Sequence, residues 1–124
     1  MIVIDGITYL IPYKAIKRKA DTLYKFAERT EDGVLHSQLI GVYYNFTLEF
    51  GASSNNASSY VDLWLKLTEP VENHDVTLPN EGSGLTFSAY FANIKDELAK
   101  EDNPNNFFRN LTVDVIAVSP ARTP

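Results

Sequence analysis

The sequence predicts an α+β, mainly β fold: an antiparallel β-sandwich or rolled sheet with a long hairpin and one packed helix at about residues 58–68. Three observations carry this. A period-two alternation fills residues 39–50, a second alternation precedes it across a polar stretch, and only one segment has clear helical spacing.

In the first alternation Ile40, Val42, Tyr44, Phe46, Leu48 and Phe50 take turns with Leu39, Gly41, Tyr43, Asn45, Thr47 and Glu49, the pattern of a strand with one buried face. The second covers residues 16–26. Ile16, Ala20, Tyr24 and Phe26 fall on one side and Lys17, Lys19, Asp21 and Lys25 on the other. The polar, glycine-bearing residues 28–33 between them make a long antiparallel hairpin the economical arrangement, with residues 34–37 continuing its second arm.

Residues 51–59, GASSNNASS, cannot bury a face and read as an exposed loop that hands over to the helix. Ser58 or Ser59 is the expected cap, Asp62 suits the positive end of the helix dipole, and Tyr60, Leu63, Trp64 and Leu67 repeat at helical spacing. Pro70 ends it. Residues 73–79, the turn PNEGSG and residues 85–91 form a second hairpin, with Leu85, Phe87, Ala89 and Phe91 inward and Thr86, Ser88 and Tyr90 outward. Residues 94–100 are expected as a short helical turn with Ile94 and Leu98 on one side, and EDNPNN as loop. The last strand, 111–118, is apolar on both faces toward its end, which suits two-sided burial or an edge meeting another chain. Residues 119–124, SPARTP, are expected to be extended and to add nothing to a ladder.

The 124 residues suit one domain. An apolar fraction of 44% is that of a folded chain, and no apolar run approaches the roughly 20 residues that cross a bilayer. The opening MIVIDGITYL has neither a basic start nor a long apolar core, so the expected compartment is the cytoplasm. Without cysteine there is no disulfide framework and no thiol nucleophile. A net charge of −5 opposes wrapping of phosphate backbones, although an acidic surface can line a channel through which DNA slides.

Catalytic, cofactor-binding and metal sites are all expected to be absent. His36 and His74 lack a clustered third ligand and read as polar strand positions. Glu69 with Glu72, and Asp96 with Glu97, read as solvated acids, since a carboxylate pair needs a set separation across a cleft. There is no nucleophile elbow and no phosphate cradle. The sequon matches at Asn45 and Asn110 are inert in a cytoplasmic chain. Tyr43 and Tyr90, on outward registers, are the aromatics a partner would cover, or else cross-strand partners within one sheet.

Five stretches together carry a resemblance: I-D-G-x-x-Y (Ile4, Asp5, Gly6, Tyr9), IGVYYNFTLEF at 40–50, LTEPVENHDVTLP at 67–79, TFSAY at 86–90 and the ending LTVDVIAVSPARTP. The chain resembles small tail-associated proteins encoded in prophages of Gram-positive gut bacteria, and in element order it is similar to tail-tube and distal-tail proteins. That resemblance implies a virion structural protein of tail-tube, distal-tail or tail-terminator type that assembles into hexameric rings or a tube. Its partners would be copies of itself and other tail proteins, with no specific nucleic acid and no membrane, first in the host cytoplasm and then in the virion tail. The physical pattern points the same way, because a long hairpin on a small domain exposes edges that assembly would cover. The expected self-association surface is Lys17, Lys19, Tyr43, Asn45 and Thr47. The competing class is a β-sandwich carbohydrate-binding or adhesion module using Tyr43, Tyr90 or Trp64 as a stacking platform, which would need Trp64 exposed.

Overall fold

The computed structural model describes residues 2–9, 11–29, 31, 33, 35–51, 57–101 and 106–124; the side chains of 25–29, 35–37, 57, 58 and 107 lie outside the described set. Among the described residues, one antiparallel sheet of seven strands curls into a half-barrel with one helix packed on its core. In chain order these are β1 (Val3–Ile4), β2 (Ile7–Thr8), β3 (Tyr13–Arg29), β4 (Leu35–Phe50), α1 (Ala57–Leu67), β5 (His74–Pro79), β6 (Gly84–Lys100) and β7 (Phe107–Ala117). The spatial order is β2-β1-β5-β6-β7-β4-β3. Of the two expected architectures the rolled sheet is the one adopted, with one helix and not a second sheet closing the core.

Burial follows the alternations of β4 from Phe46 onward and of β5 and β7, whereas Ala20 and Tyr24 of β3 and Ile40 of β4 are exposed. Phe46, Leu48 and Phe50 of β4 meet Leu111, Val113 and Val115 of β7, Val76 and Leu78 of β5, and Ile2 and Ile4 at the start of the chain. Tyr60, Leu63 and Leu67 of α1 complete the same cluster, with Trp64 half-buried against it. Each fully buried aliphatic side chain contributes about 1.5–3 kcal/mol. The ring of Phe46 lies 5.7 Å from Phe87, and Tyr60 stacks on Phe108 at 5.9 Å. Tyr60 also donates its hydroxyl to Asp96 Oδ2 at 2.6 Å, so the helix is pinned as well as packed.

Several expectations need correction. The helix begins at Ala57, so Ser58 and Ser59 lie inside it and not at its cap, and Asp62 sits in mid-helix; there is no acid in the first turn. The loop expected over 51–59 therefore ends sooner, with its residues 52–56 outside the described set. Residues 94–100 are not a helical turn but the second half of β6, paired with β7 from Ala89 opposite Ala117 to Lys100 opposite Phe107. Two asparagines make this possible. Asn93 at φ 54° and Asn110 at φ 56° adopt the left-handed conformation that their side chains tolerate, each beside a break in register, so both strands bend and continue. The last strand starts earlier than expected, at Phe107. The tail does add to a ladder: Ala121 and Arg122 bond Val42 of β4.

The opening hairpin was not foreseen. Asp5 (φ 51°) and Gly6 (φ 82°) both take positive φ between Ile4 and Ile7, the two-residue turn whose twist matches its strands. It adds β1 to β5 and places Asp5 over His74.

Candidate self-association surface

β3 and β4 pair from Tyr13 opposite Phe50 to Arg29 opposite Leu35. Only the base of this hairpin belongs to the body of the sheet, because β4 touches β7 over just Phe46 to Glu49. Past it Tyr44 still packs on the core and the chain's last residues reach Val42; beyond Gly41 the described side chains of the hairpin are exposed. Breaks in register around Tyr24 leave one extra residue on each strand, Ile40 on β4 and Lys25 on β3, which strengthens the local twist. In this stretch Leu23, Tyr24, Leu39 and Ile40 are between 37% and 46% exposed, a run of apolar surface that the core does not reach.

The five residues expected at the surface share the outer face of the hairpin base, since Lys17 stands opposite Thr47, Lys19 opposite Asn45 and Asp21 opposite Tyr43. Most of their polar groups are already engaged. Asn45 donates to Asp21 Oδ2 at 2.6 Å and accepts from the Ala117 amide at 2.8 Å, tying β3, β4 and β7 together. Thr47 donates to Asp114 Oδ1 at 2.9 Å, and the other oxygen of that carboxylate accepts from Asn93 at 2.6 Å. Lys19 lies 3.2 Å from Asp21 and Lys17 3.6 Å from Glu49, both pairs open to solvent and worth little alone. Tyr43 is half-buried, whereas Tyr90 is exposed. The outer face carries a shallow groove of about 300 Å³ lined by Lys19, Asp21, Asn45, Thr47, Asp114 and Ile116.

These bonds set the charge of the face. The Asn45 amide, then Lys19, hold the Asp21 carboxyl below its ordinary value; the Asn93 amide and the Thr47 hydroxyl do the same for Asp114. Both carboxylates thereby favour the ionised form, and with Lys17 and Lys19 beside them the surface is a patterned mix of sign and not a basic stripe.

His74 is buried and stacks on Phe91 at 5.3 Å. Its Nδ1 donates to Asp5 Oδ2 at 2.7 Å, while Asp5 Oδ1 accepts the Asp75 amide at 2.9 Å. Those two bonds, the His74 one foremost, draw the Asp5 carboxyl below its ordinary value. Nε2 is buried with no partner among the described residues, and the pair ties the first hairpin to β5. The His36 side chain lies outside the described residues. Of the acids weighed as pairs, Glu69 meets Lys66 at 3.1 Å, Asp96 takes the Tyr60 hydroxyl, and Glu97 takes Arg109 and Asn110. No three metal-capable side chains converge among the described residues.

Sequence reasoning missed Asp5, Asn93, Asp114 and the Ala121–Arg122 contact. For Asp5 the signal was present, an Asp-Gly pair between apolar residues. Comparison with protein-family models, curated proteins and solved structures finds no match to this chain.

Proposed function

We propose that this chain is a non-enzymatic structural component of a bacteriophage or prophage tail, of tail-tube, distal-tail or tail-terminator type, that assembles with copies of itself into a ring or tube. The type of particle rests on the sequence resemblance. The observation that carries self-assembly is the β3–β4 hairpin, two strands of 17 and 16 residues that run on past the core and expose the apolar side chains of Leu23, Tyr24, Leu39 and Ile40. A lone domain gains nothing from such a projection, since each exposed edge is a template for pairing. A neighbouring copy that covers Leu23, Tyr24, Leu39 and Ile40 removes that surface from water and supplies the missing backbone partners. The charged base of the hairpin, with Lys17 and Lys19, then tunes approach and register.

Electron microscopy of the concentrated protein tests this. Closed rings or tubes of one diameter are expected, and their formation should slow as salt rises, with a screening length of about 8 Å at physiological ionic strength. A chain that gives only single 13.9 kDa particles under all such conditions is not a tail-ring component.

A further inference from the structure

The segment that follows β7 lies against the edge of β4. β4 has sixteen residues, yet β7 pairs with only four of them. Past that point the next backbone on its open side is the tail of the same chain. The Val42 amide donates to Arg122 O at 2.8 Å, and Val42 O accepts from Ala121 at 2.9 Å and from Arg122 at 3.2 Å. These are the groups a strand from another molecule would use. Pro120 lies over Gly41, where a Cβ would meet Pro120 Cβ at 2.6 Å and Arg122 O at 2.8 Å. Gly41 is thus shaped to the tail, although its φ lies outside the left-handed region. The contact is slight, one register position on a segment that bends at 118, 119 and 121 and is exposed apart from half-buried Pro120.

We infer that residues 119–124 form a strap that caps the open edge of β4 at Val42 and must lift before a second copy of this chain can add a strand there. This rests on the self-assembly reading above and adds its control point. A capped edge keeps the free chain from premature pairing, and a strap held at one position lifts readily when a neighbour offers a longer ladder. Proline at 120 and 124 limits the strap to a short cap, because neither residue can donate to a ladder.

The chain has no cysteine, so a strap can be locked by one engineered disulfide. Val42→Cys with Arg122→Cys joins directly opposed residues, whose Cα separation of about 5.5 Å suits a disulfide. Light scattering would follow association against concentration for the oxidised and the reduced forms of that same sample. Gly41→Ala provides the converse, because its methyl group displaces Pro120 and Arg122 without altering chain length. The oxidised protein is expected to stay monomeric at concentrations where the reduced protein associates, and Gly41→Ala to associate at a concentration at least tenfold below wild type. Equal association of oxidised and reduced forms would overturn the strap while leaving self-assembly intact. Monomers throughout, Gly41→Ala included, would overturn both. Circular dichroism of each form reports that the sheet is retained, and the oxidised–reduced comparison stands even where Gly41→Ala alters the fold.

Discussion

Asp5 is the residue in which most of the local physics meets. It turns the chain at φ 51°, accepts from buried His74 and from the Asp75 amide, and lies 3.8 Å from Lys66 of the helix. Asparagine tolerates that backbone and can present an oxygen to the amide and an amide to the imidazole, whereas alanine can do neither. Asp5→Asn should therefore cost about 1 kcal/mol, and Asp5→Ala about 2–3 kcal/mol, since it also leaves a buried imidazole unpaired. Urea unfolding of both variants checks the order. The pH dependence has a definite sign. Asp5, Asp21 and Asp114 all have carboxyls held below the ordinary 3.8, so the stability they give is fully present above that value and is lost as pH falls through their lower folded-state values. Melting temperature should drop steeply below about pH 4, and Asp114→Asn should flatten that drop while lowering stability at pH 7. An unchanged acid limb in Asp114→Asn would remove the bridge from Thr47 through Asp114 to Asn93 from the account.

At the scale of elements, α1 is held by the face its spacing announced, but the four residues of that face are not buried equally. Leu63 is fully buried, Tyr60 and Leu67 are nearly so, and Trp64 is only half-buried. Leu63→Ala should cost about 3 kcal/mol and Leu65→Ala, on the outer side, under about 0.5 kcal/mol; thermal melts of the pair test which face docks. Trp64→Ala should cost less than the roughly 3–5 kcal/mol of a fully buried tryptophan. β3, β4, β5 and the first half of β6 were legible because each alternates over most of its length, even where extra residues at Lys25 and Ile40 shift the register. The second half of β6 was not, for a physical reason: it turns Asp96 inward to meet Tyr60, and a charged residue on the inner register breaks the apolar period that marks a strand. The two left-handed asparagines were equally hidden, since the sequence shows an asparagine but not which of its two common conformations tertiary pairing selects. Helix capping failed in the same manner, with both serines lying inside a helix that begins at Ala57.

For the whole molecule, the sheet-and-helix core explains a stable half-barrel, and the β3–β4 hairpin explains nothing about that core beyond its base. Its legibility was uneven too. The hairpin itself followed from alternation, and the clustering of Lys17, Lys19, Tyr43, Asn45 and Thr47 on one face followed from register. What alternation could not show is that Asn45 and Thr47 spend their hydrogen bonds on Asp21, Ala117 and Asp114, because those partners come from strands 24 to 72 residues away. Nor could it show that Ile40, on the inward register of an apolar run, lies beyond the reach of the core. On the proposed assembly, the surface a neighbour would cover is the exposed apolar stretch of Leu23, Tyr24, Leu39 and Ile40, with the polar base as its rim. The measurement that bears most directly on this is the molar mass by light scattering, over a concentration series, of the wild type and of the double variant Leu39→Ser with Ile40→Ser. Both side chains are exposed, so the variant should keep its fold and melt within a few degrees of wild type. The account predicts a discrete oligomer for the wild type and 13.9 kDa for the variant at the same concentration; oligomers of equal mass and stability in both would contradict it.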